Sequence, residues 1–262
     1  MERPSHDFFK DYPFKVVRIR KSRASTDGNV FFIYAGTEKF VAKIYDNLQH
    51  TQTIIKIHNI LYTSNIHVPR IITTTKGQHY VPIDAQHNLV VFSFIKGRKF
   101  KFNPSTNEIK STAKLLRGMH AALQHHITGA PPLPFDYCDI GRNQVIHFDL
   151  TKSNILTTGS QFGIIDFDDA KYGPAALDVA IAVLFLFFSR RHGVNENGAR
   201  LFIKEYYAND TDLRDKEVPH LKSLALSFID WFIANVNSIS SSIKQGFTER
   251  RELVLGGYLF GT

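Results

Sequence analysis

Two segments of the sequence decide the fold, namely His147-Phe148-Asp149-Leu150-Thr151-Lys152-Ser153-Asn154 and Ile165-Asp166-Phe167-Asp168. Five positions separate Asp149 from Asn154, a spacing that allows a loop to fold back on itself. Between the segments, residues 155–157 and 162–165 have the apolar and β-branched composition of short strands, with a turn at residues 158–161. The sequence therefore predicts a hairpin that brings Asp166 beside Asn154.

Three side chains around this hairpin can act on a phosphoryl group. Phosphoryl transfer depends on positioning and on neutralised charge more than on covalent chemistry. The carboxylate of Asp149 suits the orientation or deprotonation of an attacking hydroxyl, and the oxygens of Asn154 and Asp166 suit Mg²⁺. His147 is expected to hold the loop through hydrogen bonds rather than to react. Any one of these residues alone would indicate only a turn or a surface acid, but their order around a hairpin favours a site for phosphoryl transfer.

The composition is that of a globular protein with an uneven charge. The chain has 262 residues, of which 43% are hydrophobic and 21% are charged, and this suits one or two packed domains. Residues 1–100 hold 15 Lys and Arg against 7 Asp and Glu, whereas residues 101–262 hold 17 of each. A basic first part is consistent with a solvated surface or with a polyanionic ligand such as nucleotide phosphates. Nucleic acid is disfavoured as a partner, because no helix-turn-helix, zinc-finger or RNA-binding motif occurs.

The sequence indicates no membrane segment. Residues 1–7 are polar and lack the apolar core of a signal peptide. The most apolar run, residues 179–188, is too short to cross a bilayer and fits a buried helix. A single cysteine excludes an internal disulfide and gives secretion no support. We therefore expect a cytoplasmic protein that has no membrane partner.

Hydrophobic periodicity divides the chain into a sheet-rich first part and a helical second part. Strand-like patterns occur at residues 14–20, 30–34, 39–45, 71–75 and 89–95. Helices are predicted over residues 51–62 and 107–125, and the chain is expected to be helical from Ala175 nearly to its end. These patterns predict an α+β protein with an antiparallel-sheet N-lobe, one main helix in that lobe, and a mostly helical C-lobe.

Taken together, the motifs resemble the aminoglycoside phosphotransferase and choline kinase group of the protein-kinase-like fold. The specific part of the resemblance is His-x-Asp-x-x-x-x-Asn followed by a strand and Ile-Asp-Phe-Asp. Residues 162–180 look like the metal segment of the group and its Asp-Leu-Ala helix start. Residues 116–120 look like its Leu-x-x-Leu-His helix end, and residues 66–72 look like its Val-Pro-Arg strand entry. The resemblance covers residues 14–188 and implies a bilobal protein-kinase-like fold.

The resemblance also implies an activity and roles for site residues. The activity is a phosphotransferase that uses Mg²⁺ with ATP or GTP and moves the γ-phosphoryl group to a hydroxyl of an aminoglycoside, a choline-like compound or another metabolite. Asp149 would be the catalytic base, Asn154 and Asp166 the metal ligands, and Asp178 a structural support of the catalytic loop. Residues 1–97 would form the nucleotide-binding lobe with its hinge, and residues 98–262 the catalytic and acceptor-binding lobe.

Lys43 and a turn before it resemble the phosphate contacts of the group. Lys43 lies in an apolar strand that is similar to the Val-Ala-Ile-Lys strand, whose lysine binds the α- and β-phosphates of the nucleotide. The turn Asp27-Gly28-Asn29 stands where the group places its phosphate-covering loop, and backbone N–H groups in such a turn can face phosphates. A plain turn is the alternative for Gly28 and Asn29.

Residues 92–97 are similar to the hinge of the group. At the hinge, backbone groups near Ser93 and Ile95 are expected to hold the edge of the nucleotide base. An ordinary strand end is the alternative for these two residues.

One departure from the group concerns the partner of Lys43. No acidic residue occurs between Asp46 and Asp84, where the group has a glutamate that pairs with the lysine. Gln52 is the best substitute in the predicted helix, although an amide stabilises an ammonium less than a carboxylate does. Asp46 at the start of the helix, or no partner at all, is the alternative. This departure leaves open a catalytically weak or inactive nucleotide-binding regulatory protein. The acceptor, the choice between ATP and GTP and the oligomeric state also remain open at the level of sequence.

Overall fold

The chain folds into two compact units. The structure, a computed structural model, describes residues 4–22, 28–126, 129–137, 140, 142–158, 161–235 and 241–260. The first unit is Met1–Lys96, called the sheet unit below, and the second is Gly97–Thr262, called the helical unit. Within the described residues, no helix is both long enough and apolar enough to cross a membrane.

The sheet unit is built on one antiparallel sheet. Its strands are β1 (Arg18–Lys21), β2 (Val30–Ala35), β3 (Glu38–Tyr45), β4 (Val81–Pro82) and β5 (Asn88–Ser93). They lie in the order β1-β2-β3-β5-β4. In the register of β2 and β3, Val30 is opposite Lys43 and Phe32 is opposite Val41. Because side chains alternate along a strand, these four residues lie on one face of the sheet.

The opposite face of the sheet carries the core of this unit. It buries Phe31, Ile33, Phe40, Ala42 and Ile44 against aromatic residues of the N-terminal segment. Burial of each Phe or Ile side chain among them contributes about 1.5–3 kcal/mol. Because side chains alternate strictly along β2 and β3, Lys43 lies on the face of the sheet opposite this core.

Helix α1 (Leu48–Thr63) is the main helix of the sheet unit. The side chain of Asn47 accepts a hydrogen bond from the backbone N–H of His50 at 2.6 Å and so begins the helix. Apolar positions three and four apart, among them Ile54, Ile57 and Leu61, are buried. The helix predicted over residues 51–62 is therefore confirmed, with one additional turn at its start.

The helical unit is organised around one buried helix. Its helices are α2 (Thr106–Leu123), α3 (Ala175–Leu186), α4 (Glu196–Tyr206), α5 (Thr211–Glu217), α6 (Leu221–Asn235) and α7 (Ser241–Leu255). Every residue of α3 except Phe185 is buried. The apolar run that begins at Val179 thus forms a core helix, as its length predicted.

Short strands in the helical unit position its loops. They are β6 (Arg98–Lys99), β7 (Asn143–Ile146), β8 (Ile155–Thr158), β9 (Gln161–Ile164), β10 (Lys171–Pro174), β11 (Phe188–Ser189) and β12 (Gly193–Val194). Strands β6, β8 and β9 form one sheet, while β7 pairs with β10 and β11 with β12. The hairpin of β8 and β9 is the one predicted from sequence, although Gly159 and Ser160 of its turn lie outside the described residues.

Two local predictions are wrong. Residues 71–75 form only an isolated bridge between Ile71 and Phe92, because the N–H of Thr74 bonds to Gln78 and the chain turns there. The region after Ala175 is not continuously helical either. The chain reverses between β11 and β12, where Gly193 has a φ of 72° that favours glycine.

Candidate active site

The loop between β7 and β8 is held by a buried carboxylate. Asp178, in the first turn of α3, is 0% exposed. Its Oδ2 accepts a hydrogen bond from the backbone N–H of His147 at 2.7 Å, and its Oδ1 accepts one from the N–H of Phe148 at 2.8 Å. Charge-assisted bonds of this kind are about twice as strong as neutral ones. Asp178 therefore determines the backbone path directly before Asp149.

That path includes a strained residue. Phe148 has a φ of 66°, in the left-handed region that disfavours residues with a Cβ atom. Its ring is 6% exposed and lies 5.8 Å from the ring of Trp231 and 5.4 Å from that of Phe228, between centroids. The ring contacts and the two N–H bonds to Asp178 together hold this backbone conformation, which turns the chain at the position before Asp149.

His147 links the loop to the segment that carries Asp166. Its Nδ1 accepts the backbone N–H of Asp149 at 3.2 Å. Its Nε2 is 3.0 Å from the carbonyl oxygen of Ile165, which can only accept, so Nε2 is the protonated nitrogen. Both ring nitrogens are thus used within the fold. In the structure His147 therefore bonds to two backbone segments, at Asp149 and at Ile165.

Asp149 and Asn154 are in direct contact. Asn154 Nδ2 donates to the Asp149 carboxylate at 2.7 Å and to the Asp149 carbonyl oxygen at 2.9 Å. The two bonds close the five-residue loop and orient the carboxylate. Because Nδ2 donates both bonds, the other polar atom of the Asn154 side chain, Oδ1, takes part in neither of them.

The surroundings of Asp149 make it a stronger base than an ordinary aspartate. Its pKa is raised to about 6, mainly by burial, with repulsion from Asp169 and Asp166 acting in the same direction. A base is most effective when its pKa lies near the operating pH. The repulsion also shows that Asp166 and Asp169 lie within electrostatic reach of Asp149.

Asn154 and Asp166 provide oxygen atoms that fit a magnesium ion. The N–H of Ile165 donates to the carbonyl oxygen of Asn154 at 3.0 Å, so Asp166 follows directly after the residue bonded to Asn154. Asp166 is exposed and has a left-handed φ of 72°, which aspartate tolerates better than most residues. In the described part of the chain, no group of three or more His, Cys, Asp or Glu residues is arranged to hold a metal ion. Magnesium with a nucleotide does not need such a group, because it takes one or two protein ligands together with phosphate and water oxygens.

Lys43 and the turn residues lie in the sheet unit. Lys43 is partly buried on β3, opposite Val30. Gly28 has a φ of 65°, a conformation that favours glycine, and Asn29 donates from Nδ2 to the carbonyl oxygen of Ile44 at 3.2 Å. The turn is therefore bonded to the strand that carries Lys43. Asp27 of the predicted turn lies outside the described residues.

Ser93 and Ile95 lie at the end of β5 and just after it. The N–H of Ser93 donates to the carbonyl oxygen of Arg70 at 2.8 Å, and the Ser93 hydroxyl accepts the N–H of Arg70 at 2.8 Å. These two groups of Ser93 are thus used inside the fold, whereas Ile95 follows the strand and is partly buried. Gln52 lies on α1 and is exposed.

A recess of about 360 Å³ in the sheet unit is lined by Asp46, Tyr80, Asp84 and neighbouring residues. Of the residues considered in the sequence, only Asp46, an alternative partner for Lys43, lines it. Two carboxylates also make it a poor site for phosphates, which are anionic.

Sequence reasoning missed a set of residues behind the loop. His120 in α2, Arg142 before β7, Tyr206 in α4 and Glu217 in α5 are polar side chains that connect to Asp178. The Leu-x-x-Leu-His pattern that ends at His120 was the only signal in the sequence. It marked a helix end but gave no role to the histidine.

Comparison with known proteins finds a family match for part of the chain. Residues 130–211 match the sequence model of the phosphotransferase enzyme family, APH. That segment contains Asp149, Asn154, Asp166 and Asp178. A search of curated protein sequences finds no match.

Solved structures share the fold over nearly the whole chain. A microcompartment-associated aminopropanol kinase has a TM-score of 0.70 at 16% identity, covering 96% of this chain and 93% of that one. An aminoglycoside phosphotransferase from Alicyclobacillus acidocaldarius has a TM-score of 0.71 at 15% identity, covering 98% and 96%. A choline kinase from Cryptosporidium parvum has a TM-score of 0.62 at 12% identity, covering 91% and 88%.

These findings confirm the α+β, protein-kinase-like fold that the sequence predicted. They also confirm the resemblance to the aminoglycoside phosphotransferase and choline kinase group. The chain has the protein-kinase-like fold, and its residues 130–211 match the sequence model of the phosphotransferase enzyme family.

Proposed function

We propose that this protein is a small-molecule kinase that moves the γ-phosphoryl group of ATP or GTP to a hydroxyl group. Asp149 accepts or orients the proton of the attacking hydroxyl. Asn154 and Asp166 bind Mg²⁺, which would neutralise charge on the phosphates when bound. The sheet unit supplies the nucleotide contacts, and the helical unit supplies the catalytic residues and the acceptor contacts.

The contact between Asp149 and Asn154 is the observation that carries this proposal. The two residues are joined by a short side-chain bond of 2.7 Å, while the hairpin adds Asp166 to the same cluster. A base with a raised pKa, an amide oxygen and a further carboxylate are what in-line transfer to a hydroxyl requires. The match of this segment to a phosphotransferase family supports the same reaction.

Nucleotide binding is assigned to the sheet unit. In this proposal Lys43, on β3, contacts the α- and β-phosphates, and Gly28 and Asn29 supply backbone contacts to the phosphates. Backbone groups near Ser93 and Ile95 are assigned to the base of the nucleotide. The bond from Asn29 to Ile44 supports this arrangement, because it ties the turn to the strand of Lys43.

The acceptor is assigned only as a small hydroxylated molecule, such as an aminoglycoside, a choline-like compound or another metabolite. An aromatic cluster of Phe135, Phe148, Phe228 and Trp231 adjoins the catalytic loop. Phe228 is buried, whereas Phe135 and Trp231 are only partly buried. The partly buried rings suit an apolar or cationic part of an acceptor, while the buried ones pack the core.

Turnover by an Asp149→Asn variant tests the proposal. Purified protein with Mg²⁺ and ATP or GTP is incubated with a panel of aminoglycosides, amino alcohols and other hydroxylated metabolites, and phosphorylated product is measured. Asp149→Asn keeps the size of the side chain but removes the base, so the rate is expected to fall by about 100-fold or more.

Asp212→Asn is the matched control. It makes the same chemical change at an exposed acid on α5, outside the loop. The rate of this variant should stay within about twofold of the wild-type rate, a much smaller change than the loss of a general base causes. An unchanged rate in Asp149→Asn would contradict the assignment of the base.

A nucleotide-binding regulatory protein is the second candidate function. It is favoured by the absence of any acidic residue between Asp46 and Asp84, and by the exposed position of Gln52 on α1. Nucleotide binding without product from any acceptor in the panel would support this candidate, whereas product formation would exclude it.

A further inference from the structure

A chain of hydrogen-bonded polar side chains leads through the helical unit to Asp178. It consists of Glu217, Arg142, Tyr206, His120 and Asp178, called the Asp178 network below. Arg142 donates to both carboxylate oxygens of Glu217 at 3.3 and 3.4 Å and to the Tyr206 hydroxyl at 2.8 Å. The Tyr206 hydroxyl is 2.6 Å from His120 Nδ1, and His120 Nε2 is 3.0 Å from Asp178 Oδ2.

Four of the five side chains in the network are buried, and that of Arg142 is 18% exposed. His120, Asp178 and Glu217 are 0% exposed and Tyr206 is 1% exposed. Five separate elements contribute one residue each, from α2, α3, α4, α5 and the segment before β7. An unpaired polar group at such a depth costs about 1–3 kcal/mol, so every hydrogen of the network is expected to have an acceptor.

The direction of each hydrogen bond follows from Arg142. A guanidinium can only donate, so the Tyr206 oxygen accepts from Arg142 and its own hydrogen is left for His120. His120 Nδ1 must then accept, and the ring proton sits on Nε2, where it is donated to Asp178. Burial acts in the same sense, because it lowers the pKa of His120 and keeps the ring neutral.

Asp178 receives three donors as the result. His120 Nε2 and the N–H of His147 reach Oδ2, and the N–H of Phe148 reaches Oδ1. A carboxylate that accepts at both oxygens cannot rotate without breaking at least one of these bonds. The orientation in which Asp178 accepts the two backbone N–H groups of the loop is thus coupled to the direction of the Tyr206 hydroxyl.

We propose that Tyr206 and Arg142 are positioning residues for the catalytic loop. Through His120 they hold Asp178 in the one orientation that bonds both N–H groups before Asp149. Neither residue touches the proposed reacting groups. The inference rests on the proposed function, because that function is what makes the loop catalytic. The geometry of the network is independent of it.

The alternative role for these residues is to hold elements of the fold together. The ion pair of Arg142 and Glu217 joins α5 to the start of β7. A purely mechanical role requires the ion pair but not the Tyr206 hydroxyl. The 2.6 Å contact between that hydroxyl and His120 is what distinguishes the two roles, and a variant lacking only this oxygen separates them.

Tyr206→Phe is the test, with Tyr207→Phe as its matched control. Tyr207 is the next residue, is 2% exposed, and donates its hydroxyl to Glu217 at 2.8 Å rather than to His120.

Backbone amide resonances of His147 and Phe148 and the ring nitrogen shifts of His120 are measured by NMR, together with kcat and KM. Tyr206→Phe is expected to shift these resonances and to lower kcat by about 10-fold or more, by analogy with residues that orient metal ligands. KM for the nucleotide should change by less than about twofold, since ground-state binding is retained.

Tyr207→Phe should leave both the resonances and kcat at wild-type values. Wild-type resonances and kcat in Tyr206→Phe would overturn the inference, as would equal changes in the two variants. If Tyr206→Phe does not fold, Arg142→Met and Glu217→Gln decide the question. Both remove the ion pair of Arg142 with Glu217, but only Arg142→Met also removes the donor to the Tyr206 oxygen. Arg142→Met should therefore shift the resonances and Glu217→Gln should not, and equal shifts in both would overturn the inference.

The NMR measurements need no turnover. If the wild-type protein forms no product with any acceptor, the proposed function fails, whereas the amide resonances of His147 and Phe148 still test the positioning role.

Discussion

Phe148 shows how one residue of the loop is held against its own preference. Its φ of 66° would suit glycine, yet a large aromatic side chain stands there. Strained backbone of this kind persists only where surrounding contacts enforce it, and it occurs often at functional sites. Here the enforcing contacts are Asp178 on the backbone and Trp231 and Phe228 on the ring.

Replacement of Phe148 by glycine and by alanine measures this strain. Both variants lose the ring contacts, but only alanine keeps a Cβ atom in the left-handed region. The glycine variant should therefore be more stable than the alanine variant by about 1 kcal/mol, as measured by urea unfolding. Phe167 is buried without a left-handed backbone, so the order should reverse for Phe167→Gly and Phe167→Ala. Equal stability of the two Phe148 variants would show that the strain is absent in solution.

At the scale of elements, helix α2 carries a signal that sequence and structure share. Ser105 and Glu108 form a capping box, in which each side chain bonds to the backbone of the other residue. Glu108 also pairs with Arg98 of β6. The cap therefore begins the helix and joins it to the sheet of β6, β8 and β9, which holds the hairpin of the candidate site.

The pH dependence of stability should report this cap. The hydrogen bond from Arg98, followed by that from the Ser105 backbone, lowers the pKa of Glu108 from 4.5 to about 2. A carboxylate whose folded pKa is depressed contributes stability above its unfolded pKa and loses it as pH falls through the folded value. The contribution of Glu108 should thus be complete above a pH of about 4.5 and disappear toward a pH of about 2.

Glu108→Gln tests this expectation by denaturant unfolding at several pH values. The difference in stability between wild type and variant should be largest near neutral pH and should shrink between about pH 4.5 and 2. Glu196→Gln, in the first turn of α4, is the control, because its ion pair with Arg200 is longer, at 3.9 Å, and exposed. A difference that stays constant over this pH range would show that Glu108 titrates normally.

At the scale of the whole molecule, the proposed reaction divides the work between two units. The sheet unit carries Lys43, and the helical unit carries Asp149, Asn154 and Asp166. A nucleotide that binds the folded protein must raise its stability, whether or not transfer follows. Ligand-dependent stability thus tests the nucleotide contacts separately from catalysis.

Lys43→Met should weaken this stabilisation. At 100 times its dissociation constant, a non-hydrolysable ATP or GTP analogue with Mg²⁺ is expected to stabilise the wild-type protein by about 2.7 kcal/mol. The variant loses a cation that contacts phosphates, so the same analogue concentration should stabilise it less. Lys56→Met is the control, since Lys56 is exposed on α1. Wild-type stabilisation in Lys43→Met would remove Lys43 from the nucleotide site.

Much of the fold could be predicted because its signals are local. The alternation of β2 and β3, the period of α1 and α2 and the apolar run of α3 are each read from adjacent residues. The failure at residues 71–75 has the same origin, since a β-branched run indicates a strand but does not show that a neighbouring strand is there to pair with it.

The sequence by itself determined the order Asp149, Asn154, hairpin and Asp166, because a five-residue loop and a hairpin bring these residues together without help from distant parts. Only the tertiary structure decided how the loop is held. His120 lies 58 positions before Asp178, and Tyr206 lies 86 positions after His120. Buried polar groups must find partners, and which partners they find depends on how five separate elements pack. No local pattern carries that information, so the Asp178 network became visible only in the folded chain.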